Sequence, residues 1–117
     1  MEIAYWASGG QPWEDVLASC RWAEEAGWFG IWVPDHFMLP SEGYQDFSST
    51  ASDPELEPIL EAFTMQAALA VAVPRVRIGA MVAGITYRHP AVVANMAATI
   101  DHISAAASCS GSGVAGS

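Results

Sequence analysis

The sequence predicts an α/β protein built on a parallel β-sheet, and three observations carry that expectation. Short apolar segments beginning near residues 2, 28 and 76 alternate with longer stretches whose apolar residues recur at helical spacing. Glycine or proline stands at the junctions between them. The segment Trp28-Phe29-Gly30-Ile31-Trp32-Val33 is aromatic and β-branched and apolar on both faces, as suits a strand covered on both sides. Strand-helix alternation of this kind produces βαβ units, because parallel neighbours need a crossover to return the chain.

Each element has its own signals. Glu2 to Ala7 is a short apolar strand ending in the turn residues Ser8-Gly9-Gly10. Pro12 suits a helix start, Glu14 and Asp15 favour its positive end, and Trp13, Val16, Leu17, Cys20 and Ala23 fall on one face until Gly27 stops the helix. The second strand closes at Pro34-Asp35-His36. Phe37 to Pro58, rich in Ser, Gly, Pro, Asp and Glu, reads as a long exposed loop, the kind of loop that often serves as a lid. A second helix is expected from about Ile59 to Val73, a third strand over Val76 to Val82, and a third helix from Pro90 to about Ile103, with Val93, Met96, Ala97 and Ile100 on one stripe. Ala105 to Ser117 breaks the rhythm: small residues and alternating serines stand where a fourth strand belongs, so residues 105–117 read as a tail or a degraded fourth strand.

Composition excludes several functions. The 117 residues are 52% hydrophobic and 15% charged, with a formal net charge of −9. One domain is expected, large enough to bury a core without disulfides or metal. Nucleic-acid binding draws its affinity from Lys and Arg, and only Arg21, Arg75, Arg77 and Arg88 are present. With no lysine, Schiff-base chemistry has no nucleophile. Cys20 and Cys109 make neither a disulfide framework nor a CxxC pair, which points to a reducing cytoplasm. No segment reads as a signal peptide or membrane span, and Ala62 to Pro74, the longest uncharged apolar stretch, is too short to cross a bilayer.

The candidate chemistry sits at Asp35-His36, at the carboxyl end of the second strand, where parallel α/β folds place ligands and catalytic groups. An imidazole there can exchange a proton, and a neighbouring carboxylate can orient it. His89 suits the N-cap region of the third helix, and His102 its last turn. No histidine or cysteine spacing suggests a protein-bound metal, and neither a GxGxxG nor a GxxxxGK[ST] loop follows a strand. Trp6 and Trp32 lie on strands, where they could wall an aromatic ligand.

Three motifs in one order then carry a resemblance: Pro34-Asp35-His36-Phe37; Arg75-Val76-Arg77-Ile78-Gly79; and Thr86-Tyr87-Arg88-His89-Pro90-Ala91-Val92, continuing to Asp101-His102-Ile103-Ser104. Residues 1–104 resemble the bacterial luciferase-like superfamily, and within it the F420-dependent oxidoreductases. The resemblance implies the N-terminal portion of a (β/α)8 barrel, of which a whole example takes about 250 residues, here the first three to four βα units. It also implies coenzyme F420, or alternatively FMN, at the carboxyl ends of the strands. His36 is similar to the histidine that handles a proton beside the deazaflavin, and Asp35 to a neighbour that contacts cofactor or substrate. Met81, Val82 and Ala83 resemble the bulge behind the ring, with a non-prolyl cis peptide expected at Met81-Val82. Hydride transfer to or from a small organic substrate is implied for the F420 branch and monooxygenation for the FMN branch. The loop from Phe37 to Pro58 would select the substrate. The alternative is a non-catalytic truncated half-barrel or partner subunit, whose open sheet edges favour pairing, for instance in a homodimer.

Overall fold

A computed structural model describes residues 1–37 and 59–110, with the side chains of 106–110 left aside. The expected loop over Phe37 to Pro58 therefore lies almost wholly outside the described residues, as does the part of the expected tail or fourth strand (105–117) that follows residue 110. Within them the order is β1 (Ala4–Trp6), α1 (Trp13–Glu25), β2 (Gly30–Val33), α2 (Ala62–Ala72), β3 (Arg77–Ala80) and α3 (Pro90–Ser110). The three strands form one parallel sheet in the order β1-β2-β3. This is the architecture expected of part of a luciferase-like barrel, three βα units long.

Local chemistry explains where the elements begin and end. Glu14 and Asp15 occupy the first turn of α1, and Gly27 takes the left-handed conformation (φ 76°) that ends it, a region where any side chain would be strained. Glu61 caps α2, its Oε2 accepting from the Thr64 N–H and the Thr64 hydroxyl, each at 2.7 Å. His89 does the same for α3: its Nδ1 accepts from the Ala91 N–H at 3.2 Å, and Pro90 supplies the fixed φ of the first helical position. The third helix corrects one expectation. It runs to Ser110, not to Ile103, so His102 lies inside it and not in its last turn. Ala105 to Ala107 are strong helix formers and extend the helix where the serines suggested a break.

The register divides the sheet into two faces. Tyr5 pairs with Ile31, and Ile31 with Ile78; one position later, Trp6 aligns with Trp32 and Trp32 with Gly79. Partners in register point to the same side. Ile31 and Val33, both fully buried, join Val16 and Cys20 of α1 and Ala62, Phe63, Met65 and Leu69 of α2 in the core. Val93, Met96 and Ile100 of α3 pack against the edge of that core, the stripe their spacing suggested. Burial pushes the Cys20 thiol up to about 11, so it behaves as a small apolar side chain. The opposite face carries Trp6 and Trp32. A Cβ on Gly79 would lie 2.5 Å from the Trp32 indole, so the glycine is the floor on which that ring rests.

Leu69 is fully buried at the centre of α2. Leu69→Ala is expected to lower unfolding free energy by about 2–5 kcal/mol through the cavity it leaves, read as a lower urea midpoint at unchanged slope.

Candidate active site at the carboxyl edge of the sheet

Parallel strands end on the same side, and Asp35, His36, Met81, Val82 and Ala83 all follow the end of β2 or β3. The Met81 N–H donates to the Val33 carbonyl at 2.8 Å, tying the start of the β3 exit to the end of β2. The Met81–Val82 peptide bond is cis. Gly84, just beyond it, donates its N–H to Asp35 Oδ2 at 2.9 Å. His36 and the Met81-Val82-Ala83 segment are thus brought to one rim.

The two halves of the Asp35-His36 pair face different ways, as consecutive residues leaving a strand do. His36 is exposed, and Asp35 is buried, with its side chain inaccessible to solvent. Asp35, expected to contact a cofactor or substrate, has its side chain turned inward onto an arginine. Arg88 Nη1 donates to Oδ2 at 2.7 Å and Nη2 to Oδ1 at 3.0 Å, a two-pronged charged contact. Nη2 also donates to Glu61 at the head of α2. The guanidinium lies between two rings, 5.2 Å from the centre of Phe37 and 4.8 Å from that of Phe63.

Burial by itself would push the Asp35 carboxyl up, but the Arg88 hydrogen bonds, the Gly84 N–H and the charges of Arg88 and His36 outweigh it and hold the group below the ordinary aspartate range. Glu61 is likewise lowered: burial opposes, while Thr64, the Phe63 N–H and Arg88 prevail. Neither Arg88 nor Glu61 stood out as a site residue in the sequence. The available signal was the scarcity of cations, four arginines among thirteen carboxylates, with Arg88 inside the third motif.

Around this polar knot the rim is apolar and open. Trp6 at the end of β1, Phe37 after β2, and Met81, Val82, Ile85 and Tyr87 after β3 are all exposed, Val82 by 77% and Ile85 by 88%. Phe37 and Tyr87 stack with centroids 4.4 Å apart. Away from the rim, beside the free edge of β3, a hollow of about 450 Å³ lies between α2, α3 and the sheet, and the buried Gln66 Nε2 that helps line it has no hydrogen-bond partner.

A parallel βα sheet that gathers a histidine, a bent strand exit and an apolar rim at its carboxyl edge defines an α/β protein whose candidate site lies where such sheets place ligands. The luciferase-like monooxygenase family matches residues 1–105, and the chain belongs to that family, which supports an oxidoreductase or monooxygenase activity in general terms. No curated protein matches it. Among the described residues no helix is long and apolar enough to cross a membrane.

The inward carboxylate predicts the acid behaviour of the fold. A carboxyl lowered in the folded state stabilises fully above its unfolded value, near pH 4, and that stabilisation is lost as pH falls towards its folded value. Asp35→Asn is expected to cost about 3–5 kcal/mol at pH 7, because it leaves Arg88 without its main partner. The difference from wild type should shrink below pH 4, as seen in urea midpoints measured at pH 7 and pH 3.

Proposed function

We propose that this chain forms part of a (β/α)8-barrel oxidoreductase that uses coenzyme F420, or alternatively FMN, with His36 giving or taking the proton that accompanies hydride transfer on a small organic substrate. The observation that carries the reading is the meeting of His36 and the Met81-Val82-Ala83 segment on one edge of the sheet, where the Gly84 N–H bonds Asp35. Family membership supports the oxidoreductase class.

The residues present suit a flat, mostly apolar ring. Trp6, Met81 and Val82 offer exposed apolar surface, and the Asp35 carboxylate behind them is paired with Arg88. Apolar side chains exposed together in this way mark binding sites more than bare solvent boundaries. A bound deazaflavin or flavin would supply the hydride chemistry, with oxygen activation added in the flavin case. Met81, Val82 and Ala83 would support one face of the ring and exclude water from it. His36, exposed on the same rim, would accept the proton of a substrate alcohol, or return one to a reduced product.

Two measurements test this reading. Titration of the chain with F420 or with FMN is expected to give a saturable change in tryptophan emission, because Trp6 and Trp32 lie on the sheet face next to this rim; absence of saturation with either cofactor would sink the proposal. In the cofactor-bound protein, His36→Ala is expected to lower turnover by roughly 10²–10⁴ while cofactor affinity stays close to wild type. Unchanged turnover removes His36 from the reaction.

A further inference from the structure

Arg88 joins three separate segments behind the rim. It comes from the β3–α3 connection, two residues before Pro90, and reaches Asp35 after β2 and Glu61 at the head of α2. Its side chain is only 10% exposed, and the rings of Phe37 and Phe63 flank it. The contacts bracket the candidate site along the chain. Asp35 is the residue before His36, and Gly84, whose N–H shares Asp35 Oδ2 with Arg88, is the residue after Ala83. A fork with five donors in fixed geometry can hold two carboxylates at a set spacing, which an ammonium on a flexible stem cannot do. The Asp35 oxygens and the fork are all turned inward, so none of this group reaches the open rim.

We propose that Arg88 is the positioning residue of the site: by gripping Asp35 and Glu61 together it holds the ends of β2, β3 and α2 in the arrangement that puts His36 opposite the Met81-Val82-Ala83 segment. The proposal rests on the cofactor reading for its consequence and on the hydrogen-bond geometry for its cause. Arg88 acts through Asp35 and Gly84 and not by contact with a substrate. Misplacement of a reacting group by about 1 Å is enough to cost 10²-fold in rate, so a clasp of this sort matters beyond stability.

The test uses the full chain and two kinds of readout. Arg88→Lys keeps the charge and loses the fork. Amide hydrogen exchange at His36 and Gly84 is expected to quicken about tenfold or more, while Ile31 and Val33 in the core of β2 keep their protection. The dissociation constant for whichever of FMN or F420 the wild type binds is expected to rise about tenfold or more. Arg88→Met strands the buried Asp35 charge and is expected to lower the melting temperature. The double variant Arg88→Met with Asp35→Asn is expected to recover that temperature but not the affinity, which a purely stabilising ion pair would not do. Exchange at His36 and Gly84 in Arg88→Lys no faster than in wild type overturns the proposal, and so does wild-type affinity in Arg88→Lys or in the double variant. If the wild type binds neither cofactor, the cofactor reading fails, and the exchange pattern alone decides the clasp.

Discussion

The forked contact of Arg88 on Asp35 is the constraint on which the rim depends. A carboxylate fully removed from solvent is tolerated only where its charge is matched and its lone pairs are occupied. Here two guanidinium nitrogens and one backbone N–H meet that requirement, and each comes from the far side of the sheet edge. Satisfying one buried charge therefore fixes the relative position of the two strand exits. The same nitrogen that binds Asp35 Oδ1 also reaches Glu61, so the cap of α2 joins the same knot.

The sheet behind that knot is divided between two tasks. Ile31 and Val33 anchor β2 in the helical layer, while Trp32, between them, points to the other face and lies over Gly79. A strand fixed by burial on one side can present aromatic surface on the other without loss of order. Arg75 and Glu24, by comparison, meet at the opposite edge of the sheet at 3.2 Å with the arginine largely in solvent. Such a pair contributes little to stability. The difference between the two ion pairs is one of burial, and it falls on the side of the sheet where the site lies.

Much of the architecture was legible along the chain. Val16, Cys20 and Ala23 recur at helical spacing and are the buried residues of α1; Gly27 ends that helix with a positive φ; His89 and Pro90 begin α3. These are local effects, decided within a few residues by period, capping and backbone freedom. The end of α3 differs from its expected place for a related reason: small residues and alternating serines suggested a tail or a degraded strand from residue 105, but the alanines there favour helix and α3 runs on to Ser110. His36 was placed by the apolar run of the second strand, at whose carboxyl end it stands, whereas the cis bond at Met81–Val82 came from the ordered motifs, since it leaves no signature in composition.

Residue order alone settled the alternation of strand and helix, the parallel sheet that follows from it, and the gathering of strand exits on a single edge, because hydrophobic period and turn chemistry act over short distances. It also showed Asp35 beside His36, but not that one would be buried and the other exposed. Which of thirteen carboxylates would hold Arg88 was decided by the tertiary structure alone. Asp35 and Arg88 stand 53 positions apart, and a pairing at that separation is chosen by the shared cost of desolvating both charges once the strands have packed.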